Sequence, residues 1–370
     1  MRSEWRLDPD FLTVNHGSFG ATPLCVRAEQ DGWRERMEAQ PSRFMAQLPS
    51  LLRAAADRLG AFLGAEGRDI AFVDNATTGC NAVLRSLALR AGDEIAVLSH
   101  VYGAVRNTVR YATERAGAAI VEAEVPFPEV SDDGTVAAVA AALTDRTRLA
   151  VIDHIASHSA LVLPVARIVA ACHARGVPVL IDGAHAPGQI DLDIAALDAD
   201  YYTGNCHKWL CAPKGSAFLW VRPDRQAALH PTTISHGLDG GFLAEFDWTG
   251  TRDPSAALSV PAALDFHERL GGAALRARNI ALAAEGAALV ARRLNTEAVA
   301  TGGAMGLIRL PWDGPPQELR ARLLAAGTDA PVNAIAGANW LRLSAFAYNE
   351  LDDFARLADL VADVMREEQP

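Results

Sequence analysis

Short, apolar, β-branched runs recur through the first two thirds of the chain, spaced by alanine-rich stretches with helical periodicity. The runs are DIAFV, EIAVLSH, AAIVEAEV, RLAVIDH, VPVLIDG and SAFLWV; SLLRAAADRLGAFLG and VARIVAACHARG are two of the helical stretches. A strand apolar on both faces must be covered on both faces, so this alternation predicts an α/β fold with a mostly parallel sheet between helices. In such sheets ligands lie beyond the carboxyl ends of the strands. From DPSAALSVPAALDFHERLGG onward the pattern changes to longer helices, then MGLIRLPW, the helix PPQELRARLLAAG, the strand NWLRLSAF and a last helix. At 370 residues the chain exceeds what one core usually supports. We therefore expect a large domain over residues 16–253 and a smaller α+β domain made of 1–15 and 254–370.

Charge and cysteine content narrow the partners. A net charge of -11 provides no basic patch for phosphodiester backbones, so no nucleic-acid partner is expected. No apolar run approaches the roughly 18 residues of a membrane span. With the charged start MRSEWRLDPDF, this sets a cytoplasmic location and no membrane partner as the expectations. Cysteines 25, 80, 172, 206 and 211 form no CxxC pair and fit neither a disulfide framework nor a metal site. A small-molecule ligand is what remains.

The residues with chemistry gather at strand ends. In YYTGNCHKWLCAPKG, residues 201–215, Lys208 sits among His207, Trp209, Cys206 and Cys211. An ammonium in half-apolar surroundings loses solvation, and its pKa falls until the amine can act as nucleophile or base. The apolar strand VLIDGAHAPGQ leaves Asp182 at the sheet mouth. In FVDNATTGCNAVLRSL, Asn75, Ala76, Thr77, Thr78 and Gly79 open a helix, where backbone N–H groups and the positive dipole end suit a phosphate. LSHVYGAVRN ends another strand with His100 and Tyr102, either of which can cover a planar ring. A phosphate cradle, a ring contact, a buried carboxylate and a reactive lysine together match the needs of pyridoxal phosphate.

The ordered segments NATTG, SHVYGA, DGAHA, NCHKW, WTGTRD and LRLSAFAYN, preceded by VNHGSFGATP, resemble the class V aminotransferase family of fold-type I pyridoxal-phosphate enzymes, in its isopenicillin N epimerase-like branch. The resemblance runs from about residue 12 to residue 350. It implies Lys208 as the Schiff-base lysine, Asp182 at the pyridine nitrogen and Tyr102 stacked on the ring. It also places His185 near the ring's phenolic oxygen, with Ser157 or His158 beside it, and the phosphate on Ala76, Thr77 and Thr78 with His207. Gly250 and Thr251 would reach the neighbouring subunit's phosphate in a homodimer with shared active sites. Arg342 would bind the substrate α-carboxylate, and the strand period independently puts Trp340, Arg342 and Ser344 on one face and Leu341 and Leu343 on the other.

Two departures bear on the reaction. Cysteine desulfurases of the family carry a catalytic cysteine before the carboxylate-binding arginine, and residues 325–342, AAGTDAPVNAIAGANWLR, contain none. Asn205 and Cys206 stand where many relatives have serine or threonine on the phosphate, with Thr203 as a substitute contact. The resemblance then implies a C–S β-lyase acting on a cysteine-conjugate sulfoxide of the hercynylcysteine sulfoxide type, as in ergothioneine biosynthesis; an amino-acid epimerase or an aminotransferase are the alternatives. For such a zwitterionic substrate the candidate wall residues are His16, Phe19, Arg43, Phe44, Phe242, Glu245, Phe246 and Trp248.

Overall fold

The computed structural model describes residues 1–366. The chain opens with α1 (His16–Phe19), α2 (Leu24–Ala39) and the long α3 (Pro41–Leu63). Phe44, Leu48, Leu52, Ala55, Ala56, Leu59 and Leu63 recur along α3 at three- and four-residue spacing, and they bury one stripe of it. The helix stops at Gly64, whose φ of +67 is the left-handed C-terminal conformation that glycine adopts without penalty.

The expected alternation follows: β1 (Ile70–Val73), α4 (Ala76–Ser86), β2 (Glu94–Leu98), α5 (Gly103–Ala116), β3 (Ala119–Ala123), α6 (Asp132–Ala142) and β4 (Thr147–Asp153). It continues through α7 (Val165–His173), β5 (Val179–Asp182), α8 (Ile194–Leu197), β6 (Tyr201–Asn205) and β7 (Ala217–Val221). These strands form one seven-stranded sheet in the order β1-β7-β6-β5-β4-β2-β3. Neighbours from β3 through β6 pair in parallel, whereas β7 runs antiparallel to both β6 and β1. Every residue of β1, β2, β5 and β7 is buried, as a sheet covered on both faces requires. The ends of β1, β4, β5 and β6 open toward one side, and Asp153 and Asp182 stand opposite each other there in register.

After α9 (Phe242–Asp247), α10 (Ser255–Leu258) and α11 (Val260–Arg269) come α12 (Ala273–Arg293), β8 (Ala298–Val299), β9 (Met305–Arg309), α13 (Pro316–Ala325), β10 (Val332–Ile335), β11 (Ala338–Ser344) and α14 (Leu351–Arg366). The four strands make an antiparallel sheet, β10-β11-β9-β8. Its core takes Ala283, Ala287 and Val290 from α12, Leu341 and Leu343 from β11, and Phe354, Leu357 and Val361 from α14. Burial of each of those three α14 side chains contributes about 1.5–3 kcal/mol. Leu12 and Val14 of the N-terminal segment join this core, and the Ser344 N–H donates to the Val14 carbonyl at 2.7 Å. Residues 255–270 pack with the first core instead, through Leu258, Val260, Ala263, Leu264 and Phe266. Along α12 the packing passes from the first core, which holds Leu275, to the second, which holds Ala283, Ala287 and Val290.

Candidate active site

At the carboxyl ends of the parallel strands lies a cavity of about 220 Å3. Ala76, Thr77, Tyr102, Ser157, Asp182, His185, His207 and Lys208, all expected from the sequence, line it together. Asp182 is the last residue of β5, and its Oδ1 accepts the Ala184 N–H at 3.0 Å. Burial raises its pKa, against the opposing pull of that N–H and of Lys208.

Lys208 Nζ lies 3.0 Å from His185 Nε2. Burial and then the Arg342 cation bring the amine down from 10.5 to about 7. His185 is itself buried, and desolvation, reinforced by Lys208 and Arg342, holds its imidazole neutral. Trp209 Nε1 can only donate and points at His185 Nδ1 from 3.5 Å, which assigns the ring proton to Nε2. His185 then donates to the lone pair of Lys208 when that amine is uncharged.

The N-terminus of α4 forms another wall. Asn75 Oδ1 accepts the Thr78 N–H at 2.9 Å, and Asn205 Oδ1 accepts the Ala76 N–H at 2.8 Å. The Thr77 N–H takes no partner among the described residues, at the positive end of the helix. Thr78 serves the cap and does not line the cavity. His207 Nδ1 donates to the Ser216 carbonyl at 2.9 Å; burial lowers its pKa to about 4 and keeps it neutral. Tyr102, 40% exposed at the N-cap of α5, covers the cavity from another side.

Arg342, on β11, is hydrogen-bonded to Ser18 and Ser157, which line this cavity. Its guanidinium donates to the Ser157 carbonyl, to Ser18 Oγ at 2.8 Å and to Asn15 Oδ1 at 3.0 Å. All of these are neutral acceptors, and its buried Nε has no hydrogen-bond partner among the described residues. A guanidinium 3% exposed and bonded only to neutral acceptors is a buried cation whose chemistry suits a carboxylate ligand.

Several expected residues lie elsewhere. His16 is buried, with Nδ1 2.8 Å from the Tyr348 hydroxyl, Nε2 3.0 Å from the Lys208 carbonyl and its ring stacked on Phe346 at 3.6 Å; it positions the lysine's backbone. Phe44 packs in the core of α3, and Arg43 occupies that helix's exposed face. Phe242 and Phe246 are core residues, Glu245 pairs with His230 at 2.7 Å, and Phe19 does line the cavity. Gly250 and Trp248 belong to a separate small cleft beside Asp74, and Thr251 is exposed next to it. Thr203 is not a substitute phosphate contact: its hydroxyl donates to the Phe218 carbonyl at 2.8 Å, fully buried under α4. Cys206 is likewise fully buried, and burial pushes its thiol far up.

Sequence reasoning passed over Asn15, Ser18 and Asp153, and noted Asn205 only as a departure at the phosphate. Asn15 and Ser18 position Arg342, and Asn205 holds the start of α4, which no local pattern announces. Asp153 was legible as an acid ending the strand RLAVIDH, in the same place on its strand as Asp182 on β5.

A lysine amine, a strand-end carboxylate, a free helix N–H and a ring-covering tyrosine around one cavity fit pyridoxal phosphate, and the fold is that of its fold-type I enzymes. A structure of a C-DES variant with glycine covalently linked to its PLP cofactor superposes with a TM-score of 0.85, covering 98% of this chain and 99% of that one at 22% identity. The model of the class V aminotransferases matches residues 23–303, and the chain belongs to that family of pyridoxal-phosphate enzymes. Among curated relatives, an isopenicillin N epimerase of Amycolatopsis lactamdurans is 35% identical over 99% of this chain and 98% of its own length. A rice (Oryza sativa subsp. japonica) protein whose name places it among the L-cysteine desulfhydrases is 40% identical over 72% of this chain. The chain spans 59% of the length of the rice protein. Among the described residues no helix is long and apolar enough to cross a membrane, and no cluster of side chains could hold a metal ion.

Proposed function

We propose that the chain is a C–S β-lyase acting on L-cysteine or an S-substituted L-cysteine, with pyruvate, ammonia and the sulfur fragment as products. The observation that carries it is the buried Arg342 guanidinium, bonded only to neutral acceptors, near a Lys208 amine that burial and this same cation bring down to about 7: an amino acid's α-carboxylate at the first would bring its Cα toward the second. Similarity to the rice protein supports sulfur as the leaving group.

Bound pyridoxal phosphate supplies an electron sink for the charge left at Cα when its proton departs. In this reading Lys208 would hold the cofactor, and its amine, once free, would accept the Cα proton as a general base. Asp182 gives the ring nitrogen its counter-charge. The Thr77 N–H and His207 would hold the phosphate, His185 and Ser157 would flank the ring's oxygen, and Tyr102 would cover one ring face. Arg342 binds the α-carboxylate bidentately once the substrate displaces neutral acceptors such as Ser18. Hercynylcysteine sulfoxide is one member of this substrate class and enters as a compound to assay.

The full-length match to an isopenicillin N epimerase supports a second reading, amino-acid epimerisation, in which a second acid returns the proton to the opposite face. We also propose a homodimer in which Gly250 and Thr251 reach the other subunit's phosphate; their position outside the subunit's own cavity supports this, and sedimentation of the holoprotein tests it.

The deciding experiment incubates holoprotein with L-cysteine, S-alkyl cysteines and hercynylcysteine sulfoxide in deuterated water and follows pyruvate and Cα configuration. Pyruvate release is expected. Cα deuteration with inversion and no pyruvate would replace the lyase by an epimerase, and ketoacid-dependent amino exchange would replace it by an aminotransferase.

A further inference from the structure

Asp153 is a buried acid for which the reading above has no use. It ends β4 directly opposite Asp182 on the adjacent parallel strand, so the two backbones are roughly 5 Å apart and both side chains line the cavity. They are 2% and 3% exposed. Asp182 has support for a negative charge: the Ala184 N–H at its Oδ1, and the Lys208 cation when that amine is protonated. Asp153 Oδ2, by contrast, has no hydrogen-bond partner among the described residues. Two carboxylates this close in a dry site do not both ionise, and the proton settles on the less supported one.

We propose that Asp153 and Asp182 form a carboxyl–carboxylate pair sharing one proton, in which Asp153 is the neutral acid and thereby positions Asp182, ionised, for the ring nitrogen of the cofactor. The inference rests on the cofactor assignment above. Asp153 acts through Asp182 and is a positioning residue.

The surroundings agree. Desolvation and then Asp182 push the Asp153 carboxyl well above the usual carboxylate range. The Tyr102 N–H, the N–H of Asp153 itself and the Arg106 guanidinium of α5 oppose this without reversing it, and Arg106 is paired with Glu122 at 2.5 Å and so is largely neutralised. The other titratable groups facing the pair are Cys80 of α4 and Tyr202 of β6. Both are held neutral by burial, so neither supplies a cation. Lys208 faces Asp182, and at neutral pH it is only partly charged.

The test uses infrared spectroscopy of the apoprotein and cofactor binding to the same preparations. At pH 7.5 the wild type should show the carbonyl band of an un-ionised carboxylic acid that Asp153→Asn lacks. In Asp182→Asn, which removes the like charge, that band should titrate away at least one pH unit lower. Cofactor affinity should stay within about threefold of wild type in Asp153→Asn, a neutral group of the same shape, and weaken tenfold or more in Asp153→Ala. An absent band, a titration unmoved by Asp182→Asn, an Asn variant as weak as the Ala variant, or an Ala variant as tight as wild type would each overturn the pair. Lys208→Ala separates the two levels: if it keeps the visible absorbance of lysine-bound cofactor, the cofactor assignment fails, whatever the infrared result.

Discussion

The depressed pKa of Lys208 makes a quantitative prediction about how fast the apoprotein captures its cofactor as pH varies. Only the uncharged amine attacks an aldehyde. With a pKa of about 7, Lys208 is roughly half uncharged at pH 7 and almost wholly so at pH 9. A lysine at 10.5 is uncharged in only about 3 molecules in 10,000 at pH 7, and in about 3 in 100 at pH 9. The structure therefore predicts that the second-order rate of cofactor capture, followed by the visible band and confirmed by borohydride trapping at Lys208, rises only about twofold between pH 7 and pH 9. An ordinary lysine would give a rise of about a hundredfold. Arg342→Met removes the second largest cause of the depression and should move the midpoint upward. A wild-type profile that climbs tenfold per pH unit through pH 9 would refute both the desolvation argument and the assignment of an Nε2 proton to His185.

Other outcomes follow from the same geometry. Arg342→Ala should raise KM for the amino acid by about 10- to 150-fold, since a charged hydrogen bond of this kind contributes about 1.5–3 kcal/mol; an unchanged KM would remove Arg342 from the substrate site. His16, His154, His207 and His267 are held neutral by burial, at about 3 for His16 and about 4 for the others, below the ordinary 6.5. Their depressed pKa values mean that the stability they contribute is present above pH 6.5 and is lost as pH falls toward 4. The melting temperature should thus drop steeply below pH 6, and a flat profile from pH 7 to pH 4.5 would contradict it. Cys206→Ser should cost about 1–3 kcal/mol by burying an unpaired hydroxyl while leaving kcat nearly unchanged; a collapse of kcat with the fold intact would give the thiol a chemical role. Gly79→Ala should weaken cofactor binding and stability together, because its Cβ would meet Thr203 Oγ1 at 2.3 Å beneath α4. Undiminished cofactor affinity would show that α4 can shift.

The sequence by itself determined the layered α/β architecture, because apolar β-branched runs between amphipathic helices bury both sheet faces in few other ways. It also pointed to Lys208 and Asp182 near strand ends and to Thr77 at a helix start, while His185 and the role of Arg342 came from the family resemblance. Which of these touch, and which neighbours serve them, was decided only by tertiary structure. The antiparallel course of β7 depends on pairing with strands distant in sequence, not on its own composition. His16 and Phe44 read as site residues, yet their side chains fit better against Tyr348 and Phe346, and in the α3 core. Arg342 is held by Asn15, Ser18 and Ser157, residues 327, 324 and 185 positions away in the chain, and Asp153 matters only because β4 and β5 lie side by side in register. Local patterns encode periodicity and burial, whereas the charge state of a buried acid or cation depends on what long-range packing places beside it.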